Sequence, residues 1–268
     1  MSSTVHTATT NFFTAFFIQL KSRNILLYYF GWLNILGALI CVGLIYTTET
    51  EVLGINAFIK PMKFFISLAA LAFTMGWYMI YLKKQRAVSL YNWVFIIVFV
   101  FEMSVVLWQA ANGRLSHFNI STRFYGMLFQ WMGIAITIFT LWTLYIGILF
   151  FRQKDFPPLL PQGYIWGIRL GIIWFVIFAF EGGHMAAQLA HTVGSPDGGE
   201  GLPVLNWSKQ HGDLRIAHFF GMHSLQILPL AGYYFAKTRS QILLLALVWF
   251  LFVMLLYWQA LGGYPLLG

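Results

Sequence analysis

The chain has 268 residues, 59% hydrophobic, 19% aromatic and only 9% charged, with a mean hydropathy of +0.73. A soluble domain carries about 25% charged residues, so this composition excludes a hydrated globular surface. The formal net charge of +8 would suit nucleic acid, yet no basic run or face occurs, and the lone Cys41 leaves no disulfide framework.

What remains is an all-α polytopic membrane helix bundle of about seven transmembrane helices, since each crossing consumes ~20 apolar residues. Residues 1–24 read as an N-terminal tail with an interfacial amphipathic segment, and 25–268 as a single transmembrane domain. In the tail the apolar stretch Asn11 to Leu20 precedes Lys21 and Arg23. That is the reverse of a cleavable signal and predicts a helix lying on the membrane surface. Spans follow at 25–47, 57–82, 88–111, 123–151, 164–190, 213–236 and 241–262. Pro61 stands in the first turn of the second span, where proline is tolerated. Pro157, Pro158 and Pro161 fill the fourth connection. Gly163, Gly167 and Gly171 form a small-residue stripe suited to close helix contact. Pro229 predicts a kink in the sixth span, and Gly262, Gly263 and Pro265 end the seventh.

Positive charges flank alternate connections: Lys21 and Arg23, then Lys83, Lys84 and Arg86, then Arg152 and Lys154, then Lys237 and Arg239. The positive-inside rule then puts the N-terminus inside and the C-terminus outside.

Ionisable residues within a bilayer are costly and mark functional sites by default. Here they fall in the outer halves of the spans. His117, His184, His191, His211, His218 and His223 are all there, leaving only His6 in the tail. Helical spacing puts Glu181, His184, Gln188 and His191 on one face of the fifth span. On the sixth, His211, Arg215, His218 and Met222 form a stripe if the helix has begun by His211. Glu102, Gln109 and Asn112 align on the third, and Lys60, Lys63 and Ser67 on the second; Gln130 and Gln259 are candidates from the fourth and seventh. Such stripes must face one another rather than lipid, which predicts an outward-opening polar cavity.

Glu181-x-x-His184 has the one-turn spacing of bundle metal sites. With His218 it makes a candidate metal set for zinc or iron, or for copper if Met185 or Met222 joins. Glu102, His223 and Asp213 are the candidate acids and bases. Lys60, Lys63, Arg114, His117, Asn119, Gln188, His191, His211 and Arg215 are the candidate substrate-binding residues. The competing explanation is structural: interhelical hydrogen bonds worth ~0.6 kcal/mol each, Asp213 as an N-cap, and Lys60 and Lys63 as anchors snorkelling to the interface.

Three stretches carry a resemblance: Ile59-Lys60-Pro61-Met62-Lys63-Phe64, Ser116-His117-Phe118-Asn119, and Gly212-Asp213-Leu214-Arg215-Ile216-Ala217-His218 running on to Gly221, His223 and Gln226. They resemble an uncharacterised family of bacterial multi-span membrane proteins, which implies a bacterial inner (plasma) membrane location and no assigned activity. The chain differs from seven-helix ceramidase-like hydrolases, whose last helices carry HxxxH, and from microbial rhodopsins, since 241–262 has no lysine.

The sequence therefore points first to a metal-dependent membrane enzyme acting on a lipid or other apolar substrate. Alternatives are a haem-binding redox protein with His184 and His218 as axial ligands, a proton-coupled transporter, and a scaffold or assembly factor. Membrane lipids are the expected partners; a homo-oligomer or a partner subunit is compatible with the sequence and specified by nothing in it.

Overall fold

The computed structural model describes residues 11–267; His6 and the rest of the tail before Asn11 lie outside the described residues. The chain opens with α1 (Phe12–Arg23), capped by the Asn11 side chain, which accepts from the Phe13 amide. Helix α2 (Ile25–Thr47) starts at once, because Asn24 breaks the helix with φ −155° and caps the new one through the Leu27 amide. A two-residue hairpin, β1 (Glu51–Val52) and β2 (Ile55–Asn56), leads into α3 (Ile59–Tyr78), which ends in a 3-10 turn at Met79–Tyr81. Then come α4 (Gln85–Ala111), α5 (Arg123–Arg152) and α6 (Gln162–Gln188). A long connection contains β3 (Thr192–Val193) paired antiparallel with β4 (Gly212–Asp213). Helices α7 (Leu214–Met222), α8 (Ser224–Tyr234) and α9 (Arg239–Leu261) complete the chain.

Among the described residues, six helices are long and apolar enough to cross a membrane: α2 through α6 and α9. They leave wide apolar faces uncovered, such as Leu244, Leu247, Val248, Leu251 and Leu255 on α9. Patches of that extent have no place in water. This is an integral membrane protein.

The expected sixth span is not one helix. Its break falls at His223, between α7 and α8. Pro229 lacks the amide hydrogen that would bond the carbonyl of residue 225, and its ring crowds that carbonyl. The Leu225 carbonyl is satisfied from another helix instead, by the Tyr78 hydroxyl at 3.1 Å. The chain is thus distorted upstream of the proline rather than at it.

Packing is closest between α6 and α8. A Cβ on Gly163 would strike the carbonyl of Ala236, one on Gly167 that of Leu228, and one on Gly171 that of Ser224. The glycine stripe is the surface on which the broken helix rests. An aromatic core of Tyr91, Phe95 and Phe99 on α4 against Phe139 on α5 fills the bundle, with ring centroids 4.7–6.1 Å apart. Buried polar groups are paired across helices: Asn24 with Asn92 through two amide bonds (3.0 and 3.2 Å), and Trp249 Nε1 with Ser224 Oγ (2.9 Å).

The two ends of the bundle differ in chemistry. One gathers the basic connections: Arg23 donates to Tyr81, Lys83 pairs with Asp155 at 2.6 Å, Gly163 donates to the Lys237 carbonyl, and Arg239 lies over the Trp166 ring. The opposite end holds the β1–β2 hairpin, the 112–122 connection, the 189–213 loop and the C-terminal end of α9. The hairpin touches Gly113, and Gly212 abuts the Ala260 backbone.

Candidate functional site

At the loop-covered end, four segments bring cationic and imidazole side chains together. Helix α3 supplies Lys60 and Lys63 from its first two turns, the 112–122 connection supplies His117, the 189–213 loop supplies His191, and α7 supplies Arg215. Lys63 Nζ donates to the Leu205 carbonyl at 2.9 Å. Arg215 bonds the Asn206 carbonyl and holds Asp213 through Nε (2.9 Å) and a second guanidinium nitrogen (2.5 Å). Lys60 is surrounded rather than bonded: Arg215, Lys63 and Asp197 act on its ammonium through space, and it in turn acts on His117 and His191.

The loop has its own anchors. Asp197 accepts from His191 Nδ1 at 2.6 Å and from the backbone amides of His191 and Thr192 at 2.9–3.1 Å. Burial works against the Asp197 charge, but these donors hold its carboxyl well below the usual range. Burial drives the His191 imidazole below its ordinary value, and Lys60 and Arg215 push the same way while Asp197 opposes them. His117 is driven further down, by burial first and then by Lys60 and His191. Burial and the neighbouring lysine thus favour the neutral form of both imidazoles.

Both carboxylates of the cluster are already committed. Asp213 accepts from the Ser208 amide, the Arg215 amide and two Arg215 side-chain nitrogens, which fills the four acceptor positions of a carboxylate. It is the N-cap of α7 and the clamp on Arg215 together. Two lysines and one arginine thus stand around two occupied carboxylates, one of which is Arg215's own partner.

Backbone strain is concentrated around this cluster. Among the described residues, the non-glycine positions with positive φ are Leu53, Phe118, Leu189, Val204 and Asn206, all in connections at this end. A β-branched residue such as Val204, at φ 63°, is rare in that region, and each such residue costs roughly 1–3 kcal/mol. A cavity of about 280 Å³ lies alongside, between Leu53–Ile55 with Ile59 and the Gly198–Val204 segment with Asn206. A larger, broad cleft of about 660 Å³ lies at the opposite end, beside Arg23, Lys83 and Asp155, away from every candidate site residue.

Several expected placements differ. Helix α6 stops at Gln188, with Leu189 left-handed at φ 54°. His191 therefore leaves the Glu181–His184 face and turns toward Asp197. Gln188 is exposed and donates to the Ala190 carbonyl. Helix α7 begins at Leu214, so His211 lies outside it, its amide bonded to Ser208 Oγ. Arg114 is exposed, over the Tyr125 ring at 5.0 Å. Asn119 is buried in a turn with Ser121, and Asn112 caps α4. Gln130 is exposed, and Gln259 bonds the Tyr264 and Pro265 carbonyls at the end of α9.

The metal set Glu181, His184 and His218 does not assemble around one point. His218 Nδ1 meets Glu181 Oε2 at 3.1 Å, whereas His184 Nδ1 bonds the Tyr257 hydroxyl at 2.8 Å. Among the described residues, no group of three or more His, Cys, Asp or Glu side chains is placed to hold a metal ion. His223 joins a chain to Gln226 and Thr74, 3.1 Å at each step. Glu102 and Gln109 are buried with an unpartnered oxygen each.

Asp197 was not among the residues singled out from the sequence. Its only signal there was its place, with Glu200 and Lys209, in a glycine-rich loop. The three stretches that carry the sequence resemblance meet at this one site, through Lys60 and Lys63, His117, and Asp213 and Arg215. No protein-family model, curated protein or solved structure matches the chain.

Proposed function

We propose that this is a bacterial inner-membrane protein with seven crossings, N-terminus inside and C-terminus outside, that binds an anionic amphiphile at its outer face. The observation that carries the binding reading is the charge imbalance. Lys60 and Lys63 converge under a loop beside the Asp213–Arg215 ion pair, while Asp197 is engaged by His191 and backbone amides, so the two lysines have no carboxylate partner of their own. Lys63 and Arg215 now donate to two successive backbone carbonyls, of Leu205 and Asn206. Neutral dipoles are weaker partners for these groups than an anionic oxygen. An anionic head arriving through the adjacent cavity would replace them and lift that part of the loop. The apolar remainder of such a ligand suits a site that opens among membrane helices.

The seventh crossing is α7 and α8 together, 214–234, whose combined length at ~1.5 Å per residue matches a ~30 Å hydrocarbon layer. The clustering of basic connections at one end supports the orientation.

Titration of the purified protein with phosphatidylglycerol and with phosphatidylcholine, followed by native mass spectrometry, tests the reading. Preference for the anionic lipid is expected, weakening by about tenfold or more in Lys60→Gln. Equal binding of the two lipids, or an unchanged preference in Lys60→Gln, overturns it.

A further inference from the structure

Within the same cluster, one pair is arranged for more than binding. His191 Nδ1 is held by Asp197 at 2.6 Å, and the carboxylate is itself fixed by two backbone amides. A carboxylate on Nδ1 keeps the proton on that nitrogen and leaves Nε2 as a lone-pair base. The ring packs against Phe118, with centroids 4.8 Å apart. It still retains 19% side-chain exposure, so the unbonded edge is reachable. Around it stand Lys60 from α3, Arg215 from α7 and His117 from the 112–122 connection.

We propose that His191 is a general base and Asp197 its positioning residue, in a hydrolytic centre for phosphate monoesters. The cations choose the substrate class. A neutral carboxylic ester would leave Lys60 and Lys63 without a counter-charge, whereas a phosphomonoester brings two negative charges for the two lysines and further oxygens that Arg215 can reach. In the step, Nε2 removes a proton from water as the water oxygen attacks phosphorus. A new P–O bond forms while the bond from phosphorus to the ester oxygen breaks. The leaving oxygen takes its proton from solvent on the far side of phosphorus, His191 returns its proton to solvent, and the alcohol and inorganic phosphate are released. Lys60, Lys63 and Arg215 stabilise the charge on the transferring group. Water is the only co-reactant.

The proposal rests on the anion-binding reading, and the experiment separates the two. The full chain is assayed for inorganic phosphate release from phosphatidic acid in phosphatidylcholine vesicles and, separately, from glycerol 3-phosphate in solution. Lipid binding is measured in parallel. Turnover is expected and should fall about 100-fold or more in His191→Asn while binding stays. Cleavage of the lipid alone assigns a membrane substrate, and cleavage of the soluble ester assigns a small phosphomonoester; either upholds the centre. No turnover of either probe with lipid binding intact overturns the hydrolytic centre and leaves the binding site standing. No binding removes both.

The pH profile distinguishes chemistry from loop packing. Activity requires neutral His191, so its acid limb tracks that imidazole. Asp197 raises the His191 value and Lys60 lowers it. The limb should therefore move to lower pH in Asp197→Asn and to higher pH in Lys60→Gln, shifts that a purely structural pair would not produce. An unmoved limb in Lys60→Gln, a variant that breaks no hydrogen bond, overturns the assignment to His191.

Discussion

Asp213 shows how one buried carboxylate can tie a loop, a helix end and a cation together. Its side chain is fully buried and pairs with Arg215, which is only a quarter exposed. Removing one member of such a pair strands the other in a poorly solvated site, at a cost of about 3–5 kcal/mol. Asp213→Ala should therefore lower the thermal unfolding temperature of the detergent-solubilised protein sharply. Lys60→Gln, which breaks no hydrogen bond and relieves a crowd of like charges, should leave it unchanged or raise it. The titration of the loop adds a second expectation. His117 and His191 lie below their ordinary imidazole values and Asp197 below its carboxylate value. In each case the unfolded chain binds protons more readily, so stability rises with pH across the acid range. The imidazole contributions begin to fade as pH falls through about 6.5, and that of Asp197 only below the ordinary carboxylate value of 3.8. Limited proteolysis within 189–213 should thus accelerate progressively below about pH 6.5, and a loop equally resistant at pH 5 and pH 7.5 would contradict these shifts.

At the scale of helices, the α7–α8 break and its repair by Tyr78 make a closed hydrogen-bond account. Tyr78→Phe removes the donor that satisfies the Leu225 carbonyl, and a buried acceptor left alone costs about 1–3 kcal/mol. Pro229→Ala would restore a backbone amide to that same carbonyl. The double variant should accordingly lose less stability than Tyr78→Phe alone, a coupling that a double-mutant cycle on thermal or denaturant unfolding reads directly. On the partner helix, Gly167→Val would drive a side chain into the Leu228 backbone. It should destabilise by at least the ~1–3 kcal/mol of ordinary overpacking, whereas Gly183→Ala, which meets open space, should not. These contacts also mark what was legible in the sequence. The glycine stripe, the apolar runs and the Asp213 cap follow from spacing and local chemistry, and they hold. The helix ends did not follow: the left-handed Leu189 stops α6 without a glycine, so His191 could not be removed from the α6 face by any local rule. Nor could the Asp197 partnership or the Asn24–Asn92 pair, because both depend on how distant segments pack. Pro229 predicted a disturbance but not its place, since the nearest relief for the Leu225 carbonyl came from α3.

For the molecule as a whole, the proposed seven crossings separate connections that six crossings would join. If α7 and α8 cross as one broken helix, the 189–213 loop and the 235–238 connection lie on opposite sides of the membrane. If they dip in and return, both lie on the same side. The single native cysteine, Cys41, is fully buried, so reporter cysteines can be introduced over a quiet background. Cysteines at Glu200 and Lys237, both exposed, should label differently with a membrane-impermeant maleimide on intact cells: Glu200→Cys reacts, while Lys237→Cys reacts only after permeabilisation. Lys154→Cys should behave like Lys237→Cys, and a cysteine appended after the C-terminal Gly268 like Glu200→Cys. The physical basis is the segregation of charge, with basic connections at one end and the strained loops and the cationic cluster at the other. Equal labelling at positions 200 and 237 would show that α7 and α8 turn back within the bilayer. The cluster formed by Lys60, Lys63 and Arg215 would then have to be reassigned to whichever side the 189–213 loop occupies.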